Sequence, residues 1–480
     1  MKKKLILSVA VVVVAASVIA IACKKGQNFG PQAANAGPVL LAVDPCGCKL
    51  DNGQYKDTVT LPLIINANRT LTCDTLWRLN GKTYVTSSAV LTVAQGARVE
   101  GIRKSTPDSA SALIITRGSR ISANGSASCP IVFTSAEASP APGDWGGIVI
   151  LGRAPLNRAD TTIEGIGEPS LPAGVDINYG GGGACVGTVN DNSGVLRYAR
   201  IEYAGAVITE GNELNGLTLG GVGAGTTLQF IQVAYGADDG FEFFGGTVNG
   251  RNLISYGNND DDLDFDFGYS GKIQFVVASK VPDIPYSPNP NGIESDNTPT
   301  GSCTTCKTTL DSAAGSVVTN VTIIGSDDCP QGAPKNLLNG ALFRNGSLTH
   351  LKNSIVIDYP VGYRVERACA QGAIKTRNNI IHGTVEPDTA VNPLVTPFTL
   401  VPLPNTTAKG CLSGFGNSLV SMVSPYSVTA PDYTLQAGSP ALTGASFTGL
   451  TGVTVVAYKG AFAQTGGSSN WTTGWTKWVY

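Results

Sequence analysis

Two blocks of carboxylates are the residues of this chain whose types and spacing could do chemistry. The first follows an apolar stretch that ends at Tyr235, and the second follows a similar stretch that ends at Tyr256. Crowded carboxylates can hold a hard cation such as Ca²⁺, which takes about six to eight oxygen ligands. The candidate metal ligands are Asp238, Asp239, Glu242, Asp260, Asp261, Asp262, Asp264 and Asp266.

The spacing of the two blocks predicts that they lie side by side. Tyr235 and Tyr256, which end the two apolar stretches, are 21 residues apart. If this distance corresponds to one coil of a solenoid, Asp239 lies over Asp260. Coils stack about 4.8 Å apart, so the carboxylates would repel one another and raise their own pKa values unless a cation or solvent compensates. Further oxygen ligands are expected from Asn258 and Asn259 and, if their coil lies close, from Glu294, Asp296 and Asn297.

Three interpretations of the acidic blocks stay open. They bind calcium, they are ordinary turn residues with solvated side chains, or they form a catalytic acid and base. For catalysis, the pair would come from Asp261, Asp262 and Asp264, with Lys272, Arg197 or Arg200 as a base. An EF-hand is excluded because its loop pattern is missing. Histidine-based catalysis is excluded because the chain has only His350 and His382, neither of them in a motif.

A sequence repeat with a step of 22 predicts the scaffold that positions these blocks. The apolar residues and glycine of one stretch recur at the same spacing in the next: Leu91, Val93, Gly96 and Val99 become Leu113, Ile115, Gly118 and Ile121. A fixed period of this size in a β-rich sequence indicates a solenoid, in which each repeat is one coil. The period matches a parallel β-helix and is too short for a propeller blade.

A second set of repeats follows at Leu196. LRYARIEYAG aligns with LQFIQVAYGA from Leu228, a step of 32 that equals one coil plus about ten inserted residues. Later coils are marked by an asparagine before an apolar pair, at Asn320, Asn353 and Asn378. Aligned asparagines at the turns of stacked coils can hydrogen-bond to one another and to the backbone.

The composition favours many short strands around a large core. Of the 480 residues, 42% are hydrophobic and only 14% are charged, and the 59 glycines imply many turns. The net charge is −2, and no basic face is evident, which argues against a nucleic-acid partner.

The N-terminus resembles the export signal of a bacterial lipoprotein. Three lysines precede an apolar run from Leu5 to Ala22, and the run ends in AIAC at Cys23. This lipobox resemblance implies cleavage of a signal peptide, residues 1–22, and acylation of Cys23 as a membrane anchor. Residues 23–45 are rich in Gly, Pro, Ala and Asn and predict a flexible tether.

Cysteine usage fits an exported protein. Ten cysteines remain besides Cys23, and an even number outside the cytoplasm predicts disulfides. Cys303 and Cys306 form a CxxC pair without a second pair or a nearby histidine, so a loop disulfide is favoured over zinc.

The remaining segments predict the domain organisation. We expect an N-terminal capping segment over residues 46–75, the parallel β-helix over 76–385, and C-terminal coils with a cap over 386–480. A glycine-rich insertion spans 157–192 and predicts a long loop over the solenoid. Trp471, Trp475 and Trp478 predict a segment that covers the last coil, whose strand edges would otherwise be exposed.

Several motifs resemble a family of exported lipoproteins typical of Bacteroidota. They include GDWGGIVILGRAPLN, DNSGVLRYARIEYAG, DDGFEFFGGTVN, DDDLDFDFGYSGKIQF and NGIESDN, and the resemblance covers residues 76 to 480. It implies an all-β, right-handed parallel β-helix similar to pectin lyases, at the outer membrane or cell surface. The resemblance does not supply a function, because no activity is established for that family.

The sequence therefore predicts a lipid-anchored β-helix with a binding or structural role and no catalytic activity. A polysaccharide is the expected partner, with Ca²⁺ stabilising the acidic blocks, and the membrane is contacted through the lipid. The alternatives are a polysaccharide lyase or glycoside hydrolase of the same fold, and an adhesin or assembly subunit.

Overall fold

Parallel strands that wind into coils make up most of this protein. The computed structural model describes residues 46–50, 52–167, 169–209, 212–282, 284, 286–298, 315–325, 336–367, 376–391, 405–412, 415–466 and 470–480. The predicted signal peptide, the tether, Cys23 and the CxxC pair lie outside these residues. In the described part of the chain, no helix is long and apolar enough to cross a membrane.

The coils share one 25-stranded sheet with three faces, and each of the first three coils contributes one short strand to each face. The first face begins with β1 (Asp57–Thr60), β4 (Thr75–Leu79), β7 (Arg98–Gly101) and β10 (Ile131–Ser135). The second face contains β2 (Ile64–Ile65), β5 (Lys82–Val85), β8 (Ala112–Ile115), β11 (Ile148–Leu151), β17 (Leu217–Gly220), β19 (Phe241–Phe244), β21 (Leu263–Asp266), β23 (Ile293–Ser295) and β25 (Asn339–Phe343). The third face contains β3 (Arg69–Leu71), β6 (Val90–Val93), β9 (Arg120–Asn124) and β26 (His350–Lys352).

Longer strands bend across two faces. Those that run from the third face to the first are β14 (Gly194–Glu202), β18 (Thr227–Ala234), β20 (Asn249–Tyr256), β22 (Lys272–Ser279) and β24 (Val317–Ile324). Those that run from the first face to the second are β27 (Ile355–Glu366) and β28 (Ile380–Val391), and β29 (Thr406–Lys409) pairs with β28. The fold is thus an all-β, right-handed parallel β-helix.

Three small hairpins and three short 3-10 helices lie outside this sheet in the described part of the chain. The hairpins are β12 (Thr161–Thr162) with β13 (Asn178–Tyr179), β15 (Val207–Thr209) with β16 (Asn212–Glu213), and β30 (Met422–Ser424) with β31 (Asp432–Leu435). The 3-10 helices are Pro107–Ser109, Gly416–Leu419 and Pro440–Leu442.

The strand register confirms a period of 22 but corrects the alignment from which we inferred it. Leu91 pairs with Arg69 of the preceding coil, a step of 22, and with Ile121 of the following coil, a step of 30. Leu113 lies on a different face and pairs with Ile148. The prediction was wrong because similar strand–turn–strand units recur on different faces, and the loop around Pro107–Ser109 lengthens that coil.

Two further register predictions had different outcomes. The step of 32 is confirmed, since Leu196 pairs with Leu228. The step of 21 is wrong, because Tyr256 pairs with Ala234 rather than with Tyr235. The two tyrosines follow similar apolar residues, but their positions in the coil differ by one residue.

The corner between the third and first faces is built from residues with a left-handed backbone. Their φ angles lie between 47° and 60°, and the residues are Tyr198, Phe230, Asn252, Phe275, Asn320, Asn353 and Asn378. Asparagine tolerates this conformation better than most residues. The rings of Tyr198 and Phe230 instead stack with centroids 4.4 Å apart. The asparagines that precede apolar pairs in the sequence therefore lie at corners of the solenoid.

Of the two kinds of hydrogen bond expected for the corner asparagines, those to the backbone are present, and those between these asparagines are absent among the described residues. Asn320 Nδ2 donates to the carbonyl of Tyr458 at 2.9 Å, and Asn353 Nδ2 donates to the carbonyl of Ser446 at 3.1 Å. They therefore bind the C-terminal part of the chain rather than one another.

The C-terminal segment, residues 415–466 and 470–480, runs back along the first face. Arg200 Nη1 donates to the carbonyl of Trp475 at 3.1 Å, and Gln232 Nε2 donates to the carbonyl of Lys477 at 2.6 Å. Its apolar side chains form a second core with outward residues of the first face such as Ile254 and Val277. The predicted cap over the last coil is thus corrected: the tryptophans cover the side of the solenoid, where the outer face is apolar.

The solenoid also extends beyond the predicted limits. The first coil, β1 to β3, lies within residues 46–75, which we expected to be a cap, and β28 and β29 continue past residue 385. Strands of two to four residues give too weak an alternation to be found in sequence. Disulfides join Cys46 to Cys129 and Cys48 to Cys73, and Cys185 and Cys411 are also disulfide-bonded.

Replacing Trp475 by alanine should destabilise the whole solenoid. The side chain is fully buried and lies edge-on to Tyr198 and Phe230. Removing a buried tryptophan costs ~3–5 kcal/mol, which denaturant unfolding would measure. Val479, which is 61% exposed, provides the control Val479→Ala. Equal stability of the two variants would contradict a role of this segment in holding the first face.

Candidate functional site

The acidic residues lie on the outside of the second face. In β19, Phe241 and Phe243 point into the core, so Glu242 between them points outward. Glu242 pairs with Asp264 of the next coil, and Asp264 pairs with Glu294 of the coil after that. Parallel pairing therefore stacks three carboxylates in one outward column.

A second column lies in the turn just before these strands. The backbone amide of Asp261 donates to Asp239 Oδ1 at 2.8 Å, and the backbone amide of Asn291 donates to Asp261 Oδ1. Asn339 Nδ2 then donates to Asn291 Oδ1 at 2.8 Å. The neighbour of Asp239 is thus Asp261 and not Asp260, because the coil step is 22 rather than 21.

Both columns open into one groove of about 750 Å³. Its walls hold eleven carboxylates and one guanidinium, that of Arg344. Seven of the eight predicted ligands are among them: Asp238, Asp239, Glu242, Asp260, Asp261, Asp264 and Asp266. The other carboxylates belong to Glu164, Glu213, Glu294 and Asp296.

Asp262 does not line this groove, which corrects its assignment as a ligand. Its carboxylate pairs with Lys280, with Nζ and Oδ2 3.3 Å apart and both side chains fully buried. Lys280 Nζ also donates to the carbonyls of Asn258 and Asp260. Asp261 and Asp262 lie in the turn before β21, where strand alternation does not apply, and the turn directs Asp261 to the groove and Asp262 to Lys280 and Ser255.

The insertion packs beside the groove and lines it through one residue. The ring of Tyr179 lies flat on Gly220, where an added Cβ would come within 2.8 Å of it. Asn157 Nδ2 donates to the carbonyl of Asn297 at 2.6 Å, which ties the insertion to a later coil. The insertion thereby contributes Glu164, and the hairpin β15–β16 contributes Glu213.

Three sets of carboxylates come close enough to share a cation. The upper triad is Asp238, Asp239 and Asp260, the middle triad is Asp239, Glu242 and Asp264, and the lower triad is Asp261, Asp264 and Glu294. Within each triad, one oxygen of every residue lies within 4.8 Å of the others. Calcium bonds oxygen at about 2.3–2.6 Å, so ligands of one ion lie within about 5 Å of each other. The donors are all oxygens, which suits a hard cation.

The coils match a known family of β-helices. The family model described as the pectate-lyase like beta helix domain matches residues 63–393. The chain belongs to this family. A search of curated proteins found no match. In this pectate-lyase like β-helix, the matched region contains the whole acidic groove.

Burial is the main cause of the raised pKa values of the groove carboxyls. It raises the pKa of Asp239, Glu242 and Asp264 well above the ordinary range, and repulsion between neighbouring carboxylates raises the pKa further. The pKa of Asp266 rises to about 7, mainly by burial. The pKa of Glu294 also rises to about 7, because burial outweighs the attraction of Arg344. The cluster thus lacks sufficient positive charge from the protein.

Three buried polar atoms beside the carboxylates have no hydrogen-bond partner among the described residues. They are Asp264 Oδ1, Thr218 Oγ1 and the hydroxyl of Tyr179. Thr218 is fully buried and pairs with Glu242 on the outward face. Tyr179 is also fully buried, and the charge of Glu242 helps to raise the pKa of its hydroxyl. Buried polar groups normally have partners, so these atoms indicate a ligand or water.

The candidate bases lie away from the groove. Arg200 pairs with Glu202 at 2.9 Å, and the Arg197 guanidinium lies 5.1 Å from the ring centre of Tyr198. Lys272 Nζ donates to Thr451 Oγ1 at 3.4 Å. The histidines are equally remote: His382 Nδ1 lies 3.3 Å from Asp358 Oδ1, and His350 is buried on the third face.

Chelator-treated protein should become less stable as pH rises. Asp266 and Glu294 have pKa values of about 7 in the folded state, whereas in the unfolded chain aspartate ionises near 3.8 and glutamate near 4.5. The folded state therefore binds more protons in this window, so stability is lost as pH rises through it. Melting temperatures measured in chelator between about pH 5 and pH 7.5 should fall. A melting temperature that stays constant or rises would contradict this assignment.

Proposed function

We propose that this β-helix is a non-catalytic binding protein whose acidic groove holds Ca²⁺ and, through it, an anionic polysaccharide. The observation that carries the proposal is the overlap of three carboxylate triads in one groove of eleven carboxylates and a single guanidinium. Calcium would stabilise the solenoid by supplying the positive charge that the groove lacks.

The triads leave room for a ligand on the cation. Each supplies three carboxylates, whereas Ca²⁺ takes about six to eight oxygens. The remaining positions would be filled by water or by oxygens of a bound glycan. Uronic acids carry both carboxylate and hydroxyl oxygens, so an acidic polysaccharide matches this chemistry better than a neutral one.

The positions of the basic residues favour binding over elimination. A lyase needs a base beside the sugar carboxylate, but Lys272, Arg197 and Arg200 do not line the groove. Arg344 does line it, but its guanidinium is held by Glu294 and Asp296. Hydrolysis needs carboxyl groups about 5–9.5 Å apart, and the oxygens within each triad lie within 4.8 Å of one another, so no triad by itself has the spacing of a hydrolase pair.

Two other functional predictions rest on the sequence alone. The lipid anchor at Cys23 and the outer-membrane or surface location stay predictions. An adhesin or assembly role is not favoured by any specific contact in the described part of the chain, because the apolar outer side of the first face is covered by the chain's own C-terminal segment.

Calcium should raise the melting temperature, and Asp239→Asn should remove most of that gain. Asp239 belongs to the upper and the middle triads, so its loss affects both sets of ligands at once. A cation at 100 times its dissociation constant stabilises the folded state by about 2.7 kcal/mol, which scanning calorimetry detects. Glu137→Gln makes the same charge change at an exposed residue outside the groove and should keep the gain. Identical melting curves with calcium and with chelator would overturn the calcium proposal.

Binding to an acidic polysaccharide should require calcium and should leave the polymer intact. Sedimentation with insoluble polygalacturonate would measure binding, with dextran as the uncharged control. We expect retention with calcium, release by chelator and no retention by dextran. The chain length of the polymer should stay unchanged on prolonged incubation. Shortened products that disappear in Asp264→Asn would instead establish the lyase or hydrolase alternative.

A further inference from the structure

The upper and lower triads have no residue in common. Asp238, Asp239 and Asp260 form one, and Asp261, Asp264 and Glu294 form the other. The ligands of a single calcium ion must lie within about 5 Å of each other. Glu242 and Glu294 are two coils apart on the second face, which separates their strand positions by about 10 Å. One ion therefore cannot use the full length of the carboxylate columns.

The lower triad already has a cationic partner. Arg344 Nη2 donates to Glu294 Oε1, and Arg344 Nε donates to Asp296 Oδ1 at 3.0 Å. The other oxygen of Glu294 accepts from Asn291 Nδ2 at 3.2 Å. A cation that uses Glu294 must compete with this guanidinium.

The upper triad has no such competitor among the described residues. Asp260 Oδ1 accepts from the Ser287 hydroxyl at 2.7 Å, while Lys280 contacts the backbone carbonyl of Asp260 rather than its carboxylate. Asp239 accepts from the backbone amide of Asp261. The hydrogen-bond donors to these carboxylates in the described ranges are thus neutral, and the negative charge of the triad is not compensated by them.

Independent support for a ligand comes from the buried hydroxyls beside Glu242, which lies in the middle triad with Asp239 of the upper triad and Asp264 of the lower triad. Thr218 and Tyr179 are both fully buried, and neither hydroxyl has a hydrogen-bond partner within the described ranges. Thr218 lies on the same outward column as Glu242, Asp264 and Glu294. Hydration water of a bound cation would satisfy such groups.

We propose that the groove binds two divalent cations with unequal affinity. The tighter site is the upper triad, and the weaker site is the lower triad, where the incoming ion displaces Arg344 from Glu294. This inference rests on the proposed calcium function and adds the number of ions and the residue that regulates the second one. Arg344 acts on the ion through Glu294, so it is a positioning residue rather than a ligand.

The test is calorimetric titration of the chelator-stripped, full-length protein with calcium chloride, with native mass spectrometry to count bound ions. We expect two binding events. Arg344→Gln should tighten the weaker event by about tenfold or more, because it removes the competing charge, and should change the tighter event little. Glu294→Gln should abolish the weaker event. Asp238→Asn combined with Asp260→Asn should abolish the tighter one.

Two control variants separate this effect from a general loss of structure or charge. Arg364→Gln removes a positive charge on the same face, from a residue that pairs with Glu366 outside the groove, and should leave both events unchanged. Arg344→Lys keeps the charge and should leave the weaker event weak. Melting curves in chelator verify that each variant is folded.

The outcomes distinguish this inference from the proposal on which it rests. Absence of any calcium binding would overturn the proposed function itself. A single event in the unmodified protein would overturn only the second site. Two events, with the weaker one unchanged or weakened in folded Arg344→Gln, would overturn the competition with Arg344.

Discussion

The hydrogen-bonded register between successive coils is the constraint on which this structure depends. Each strand pairs in parallel with its counterpart one coil away, as Phe241 does with Leu263. Side chains at equivalent positions of neighbouring coils therefore stack on one another, about 4.8 Å apart, whatever their type. Inside the solenoid this is favourable, because rings such as Phe243 and Phe265 pack with centroids 5.2 Å apart.

The same stacking is unfavourable where the repeated residue is charged. Glu242, Asp264 and Glu294 cannot move apart without breaking the sheet that holds them. The fold thus maintains a concentration of negative charge that a flexible loop would disperse. Burial under the insertion raises the electrostatic cost further, since fewer water molecules can solvate the carboxylates. A rigid repeat therefore creates the preorganised geometry that a cation site needs.

Periodicity made the scaffold predictable, whereas loops limited the prediction of the site. The outward acids of the second face follow from strand alternation. The inward orientation of Asp262 was missed because a run of carboxylates in a turn does not indicate which way each side chain points. Glu164 and Glu213 come from the insertion and from the hairpin β15–β16. These segments are not paired with the coils, so the repeat does not predict their positions. Arg344 meets Glu294 across 50 residues of chain, so no local spacing indicates their contact. The step of 22 was correct, but similar strand–turn units allowed it to be assigned to the wrong pair of strands.

The return path of the C-terminal segment changes how such a solenoid can assemble. In most repeat proteins each unit contacts only its neighbours, so folding can spread from coil to coil. Here the bond between Arg200 and the Trp475 carbonyl spans 275 residues. The apolar outer side of the first face is therefore left uncovered until nearly the entire chain is available. Contacts of such high sequence separation slow folding, and they make the final coverage of this face a single late event.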